Sequence, residues 1–157
     1  MKIYGSGLPF GIPARTFVVD GSVAHPVLPF VQVLEKEKFK VTSAPGASPV
    51  RLRYGNFWKD LVADTEFFPS FLLPEKLQRW ELTIDVLISS EIDQHGNHAV
   101  TITSNGFPRR GNDLVFKVVA KAADAFAASG QLLHWTDYFQ GDPKAIKAKG
   151  KKQQQGS

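Results

Sequence analysis

The sequence contains no cysteine and a single methionine among its 157 residues. Without thiols there can be neither a disulfide framework nor a thiolate metal site, and their absence fits a reducing compartment. No run approaches the roughly 18–20 consecutive apolar residues of a membrane-spanning helix. The opening MKIYGSGLPFGIP is interrupted by glycine and proline and has no apolar core of the signal-peptide kind. The expectation is a cytoplasmic protein with no membrane partner. Several chemical signatures are also missing: there is no GxxxxGK[ST] phosphate loop, no HExxH and no GxSxG. The glycines of YGSGLPFG do not form a GxGxxG between a strand and a helix, so they read as a turn. No cofactor, resident metal or catalytic residue is expected, and the balance leans away from an enzyme.

What is present is an ordinary globular composition, with 43% hydrophobic residues and enough chain for one domain with its own core. The net charge of +4 is unevenly placed. Residues 144–157 hold five lysines (Lys144, Lys147, Lys149, Lys151 and Lys152) and no acid; removing them from the 19 basic residues leaves 14 against 15 acids. The body is therefore balanced and the basic character sits at the C-terminal end. The expected division is one domain over 1–143 and a flexible tail over 144–157. A segment of Lys, Gly and Gln cannot bury enough apolar surface to fold alone, and it suits electrostatic attraction to a polyanion.

Periodicity supplies the elements. RTFVV (15–19) reads as a strand, followed by the hairpin signal Asp20-Gly21. Val31, Val33, Phe39 and Val41 alternate, which predicts a strand across 30–42. VRLRY (50–54) alternates Val50, Leu52 and Tyr54 against Arg51 and Arg53. Asn56 caps an expected short helix at about 56–65, and the Pro-broken FFPSFLLP follows. RWELTIDVLIS (79–89) separates Trp80, Leu82, Ile84, Val86 and Ile88 from Arg79, Glu81, Thr83 and Asp85. Such alternation implies one buried and one wet sheet face, hence antiparallel pairing, and HAVTIT (98–103) returns as its partner. A long helix is expected over about 113–129, with Asn112 as N-cap, a stripe of Leu114, Val115, Val118, Val119, Ala122 and Phe126, and Gly130 as the C-terminal stop. The fold class is α+β: an antiparallel sheet of about five strands with the helices packed on one face.

The residues that point to chemistry are basic and aromatic. Arg51, Arg53 and Tyr54 share one strand, while Phe107, Arg109 and Arg110 lie at the strand-to-helix junction GFPRRGND. Single-stranded nucleic acid is held by aromatic stacking together with cationic tracks along its backbone, and a helix N-terminus also favours anions. The leading expectation is non-enzymatic, weakly sequence-specific binding of single-stranded nucleic acid. Its site would comprise Arg51, Arg53, Tyr54, Phe107, Arg109 and Arg110, with Lys147, Lys149, Lys151 and Lys152 of the tail. A self-assembling structural protein, such as a viral coat or tail component, is the first alternative, with FFPSFLLP and the open sheet face as contacts and a homo-oligomer as the consequence. His95 and His98, with Glu91 and Asp93, flank a tight turn, but their spacing matches no standard zinc site and a solvated hairpin tip is the better reading.

LPFGIPARTF, WKDLVAD and GFPRRGNDLVFKVVAKAADAFAASG together resemble segments of the RusA-type Holliday-junction resolvases. The resemblance implies a metal-dependent nuclease, the second alternative. That family's pair of metal-binding aspartates at the helix start is missing here. Asp113 stands alone, and aligning Asp124 puts Leu114 and Phe116 where acids belong. A magnesium-dependent cut would then lack its carboxylate cage.

Overall fold

A computed structural model describes residues 11–55, 83–107 and 110–147. The expected helix at 56–65, FFPSFLLP and the start of the expected strand at 79–89 (including Trp80) lie outside the described residues. The fold is α+β, built on one antiparallel sheet. In chain order the elements are β1 (Pro13–Val19), α1 (Leu28–Lys36), β2 (Lys40–Val41), β3 (Val50–Tyr54), β4 (Thr83–Ile92), β5 (His98–Phe107), α2 (Arg110–Ala128), β6 (Leu132–Trp135), β7 (Phe139–Gln140) and α3 (Pro143–Lys147). The strands run β2-β3-β4-β5-β1-β6 across the sheet, with β7 also paired to β1, so seven are described where about five were expected; β2 and β7 are two-residue strands.

One face of the sheet makes the core. Leu52 and Tyr54 of β3, Ile84, Val86 and Ile88 of β4, Val100 and Ile102 of β5, and Phe17 and Val19 of β1 all point to the helices. The register carries this face across the sheet, with Leu52 opposite Val86, Val86 opposite Ser104, and Phe17 opposite Val100. Burying each large aliphatic or aromatic side chain contributes about 1.5–3 kcal/mol.

Two local expectations are corrected. Residues 30–42 are not one strand. Pro29 sits in the first turn of α1, where its missing N–H costs no helix hydrogen bond. Phe30, Val31 and Leu34 then form a buried helical stripe, and Phe30 packs on Phe17 (5.5 Å between ring centroids) and Phe126 (5.7 Å). The chain leaves the helix through Lys38, whose φ is +71°. The alternation in this stretch came from Val31 and Val33 on the helix and Phe39 and Val41 after it, which belong to different elements. The second correction concerns Asp20-Gly21. It does turn the chain, but β1 pairs with β5, β6 and β7 rather than with the next segment. Gly21 N–H donates to Asn97 Oδ1, docking this turn on the β4–β5 turn, and a Cβ on Gly21 would run into the Gly96 carbonyl.

The long helix begins at Arg110, so Asn112 lies inside it rather than capping it. Asn112 is buried, and its Oδ1 accepts from Ser104 Oγ and from the Gly106 N–H, each at 2.7 Å, which staples the helix start to β5. The other end follows the expectation. Gly130 (φ +72°) donates to the Ala127 carbonyl and Gln131 N–H donates to the Phe126 carbonyl, the pattern of a Schellman cap.

The outer face of the sheet is not left bare. After β7 the chain crosses it: a Cβ on Gly141 would meet the Thr103 methyl, and α3 packs against β4 with Ile146 only 5% exposed. Leu87 and Thr103, which point away from the core, are buried on this side. The packed body thus continues through Lys147, four residues beyond the boundary that composition placed at 143. Ile146 supplies the apolar anchor that a count of lysines overlooks.

Candidate nucleic-acid interface

β3 presents Arg51 and Arg53 to the outer face, as alternation requires, and their situations differ. Arg51 is half-buried and already engaged. Its Nη2 donates to the Ala145 carbonyl (3.0 Å) and its Nη1 to the Ile146 carbonyl (3.4 Å). These are carbonyls near the C-terminal end of α3, where helix acceptors lack intrahelical donors and a cation is favoured by the dipole. Arg51 therefore ties the C-terminal segment to the sheet. Arg53 is exposed and lies in register with Asp85, which in turn lies opposite Asn105. Two residues beyond Asn105, β5 ends at Phe107 and leads into the arginine pair, so Arg53 stands at the same end of the sheet as that junction.

Tyr54 does not join them. It is 8% exposed, faces the core, and packs its ring against Phe39 at 5.1 Å. It cannot offer an open face to a base, and the reason is the alternation that puts the two arginines outside. Phe107 and Arg110 are placed as the last residue of β5 and the first of α2, and Lys147 as the last of α3; their side chains lie outside the description. Arg109, Lys149, Lys151 and Lys152 lie outside the described residues altogether.

Among the described residues no three His, Asp or Glu side chains converge to hold an ion. Asp93 Oδ1 instead accepts the backbone N–H groups of His95 (2.8 Å) and Asn97 (3.0 Å). The Asn97 N–H is the largest cause holding the Asp93 carboxyl below its ordinary range, with the His95 N–H adding to it. Asp20 is held low in the same way, first by the Ser22 hydroxyl and then by the Ser22 N–H. Asp113 and Asp124 are both exposed on α2.

A buried cation went unread in the sequence. Arg15 is 1% exposed on the core face of β1, and its guanidinium carbon lies 3.7 Å from the centroid of the Tyr138 ring. Tyr138 in turn meets Phe116 edge-on at 5.1 Å. The phenol of Tyr138 is pushed above its ordinary pKa, chiefly by burial and secondarily by Asp113, while Arg15 opposes the shift. The signal was available, because Arg15 shares its parity with Phe17 and Val19.

Comparison of the chain with protein-family models, with curated proteins and with solved structures gave no match. Among the described residues no helix is long and apolar enough to cross a membrane.

Proposed function

We propose that the protein binds single-stranded nucleic acid without catalysis and with little sequence preference, through its lysine-rich C-terminal segment and the exposed Arg53 beside it. The observation that carries this reading is the charge division: five lysines and no acid over residues 144–157, on a body with one more acid than base. The structure adds a root for that segment. α3 lies on the outer face of the sheet, held by the Arg51 hydrogen bonds, and Arg53 alternates with buried Leu52 and Tyr54 so that it faces the same side. In this reading Arg51 is an anchor rather than a phosphate contact, and Tyr54 has no part. Phe107 ends β5 and Arg110 begins α2, and these two with Arg109 are assigned to the same interface by their chemistry in the sequence. Affinity from such a surface is mostly counterion release, sensitive to salt and indifferent to sequence.

The test is fluorescence anisotropy of a labelled oligodeoxythymidine across a salt series. Three proteins are compared: the full chain, a chain ending at Lys147, and Arg53→Gln. Ending at Lys147 keeps α3 and its buried Ile146 while removing Lys149, Lys151 and Lys152. At about 0.7 released counterions per contact on a single strand, losing three contacts flattens the log–log salt slope by about 2. Arg53→Gln flattens it by somewhat under 1. An unchanged slope and affinity in the shortened chain would refute the proposal. A large, regular oligomer formed by the full chain without nucleic acid would favour the assembly alternative instead.

A further inference from the structure

The helix-covered side of the sheet holds a cleft that the nucleic-acid reading does not use. It is an open cleft of about 460 Å³ at the β2 end, on the face opposite α3. Its floor is Val50 and Ile88, which are cross-strand partners on β3 and β4. One wall is the first turn of α1 with Val27, Leu28 and Val31; the other is Val41 and the loop 43–48. Among the described residues that line it none is Asp, Glu, Lys or Arg, and His25 is the one ionisable side chain. Leu28 and Val41 are 47% and 40% exposed, so the mouth is apolar as well.

The walls are preformed. In Ala44-Pro45-Gly46-Ala47 the Ala47 N–H donates to the Ala44 carbonyl at 3.0 Å and Gly46 has φ +76°, the chemistry of a type II turn. The base of the loop is pinned where Thr42 N–H donates to the Arg51 carbonyl (2.8 Å) and Arg51 N–H donates to Ser43 Oγ (3.1 Å). The α1 wall is held by Phe30 and Val31 N–H groups donating to the Val27 carbonyl. A concave, mostly apolar space of roughly 300–1,000 Å³ with a few polar groups is the form of small-molecule sites. Walls already tied by these hydrogen bonds also spare a ligand part of the cost of ordering them.

We infer that this cleft is a binding site for a small, uncharged, largely apolar molecule, such as an aromatic or branched aliphatic compound with one hydrogen-bonding group. The lining selects that class. An ionised ligand would leave water without a countercharge in the wall, whereas an apolar one covers Leu28 and Val41 at the mouth and Val50 and Ile88 on the floor. Ser43, Ser48 and His25 supply the polar side chains of the described lining for a polar end.

The probe is N-phenyl-1-naphthylamine, a neutral two-ring amine whose emission rises in apolar surroundings. Titration of the full chain gives a saturable, one-to-one signal, and amide shifts in the ¹⁵N spectrum concentrate in residues 24–31, 41–50 and 88. Ala47→Phe fills the space, and Val41→Asp places a charge at the exposed mouth, where it does not disturb the core. Each lowers affinity about tenfold or more. Val41→Asp decides the matter if Ala47→Phe fails to fold. The inference is overturned by a signal that does not saturate, by equal affinity in wild type and Val41→Asp, or by shifts centred elsewhere, such as on the exposed Leu133, Trp135 and Phe139.

Discussion

Arg51→Lys separates the anchoring role of Arg51 from phosphate binding, because lysine keeps the charge and loses the fork. A hydrogen bond from a charged donor contributes about 1.5–3 kcal/mol net. The 3.4 Å contact to the Ile146 carbonyl lies at the long limit for such a bond, and the setting is only half-buried, so the pair together stabilises by about 2 kcal/mol. With a urea slope of about 2 kcal/mol per molar, Arg51→Met lowers the unfolding midpoint by about 1 M, and Arg51→Lys, which reaches one carbonyl, by about half that. In both variants limited proteolysis opens the chain at 141–147 sooner than in wild type. Oligonucleotide affinity and salt slope stay at wild-type values in Arg51→Lys. The opposite pattern, with an unchanged midpoint and weaker oligonucleotide binding, would show that Arg51 spends its donors on phosphate, and the anchoring argument would fail.

Other outcomes follow from the packing and the turns. Phe17→Ala removes a ring stacked on Phe30 in the core and costs about 3–5 kcal/mol by urea unfolding, a large part of the 5–15 kcal/mol that holds such a domain together. Asn112→Ala leaves the Ser104 hydroxyl and the Gly106 N–H without their shared acceptor and costs about 2–4 kcal/mol; adding Ser104→Ala recovers part of it, as a double-mutant cycle reads directly. The raised Tyr138 pKa means that the folded state holds the phenolic proton more tightly than the unfolded chain. Its contribution is complete below the ordinary value of 10.0 and is lost as pH rises through the folded pKa. Tyr138→Phe, which keeps a ring over Arg15, flattens that alkaline loss in a pH series of thermal melts. Asp93 has the reverse sign: its depressed pKa adds stability above the ordinary 3.8 that disappears as pH falls through the folded value, and Asp93→Asn makes the acid limb shallower.

The sequence was most legible where one side chain pattern served one element. The face of β4 from Ile84 to Ile88 and the stripe of α2 from Val115 to Phe126 could be read because every second or every third-to-fourth residue meets the same core. Gly130 announced its cap because a left-handed residue is needed there. α1 was misread because its nine residues are short, and a Val-x-Val inside it mimics a strand. The candidate site was legible only in part. Alternation correctly sent Arg51 and Arg53 outward, and by the same rule it sent Tyr54 inward, which the stacking idea had ignored. That Arg51 would meet the carbonyls of residues 145 and 146 depends on a contact across 94 residues of chain, which no local pattern encodes. The cleft beside α1 was equally hidden, since it arises between a helix turn, a loop and two strands that meet only in the fold.

The most direct test of the nucleic-acid reading is to locate the strand on the protein. An oligodeoxythymidine carrying a nitroxide at one end is added to the full, ¹⁵N-labelled chain at low salt, and line broadening of each backbone amide is measured. Strong broadening at residue 53 and from 144 to the C-terminus, with the exposed Lys117 and Lys121 side of α2 untouched, is the predicted result. Broadening centred on that helix face, or none above the level of free nitroxide, would contradict it.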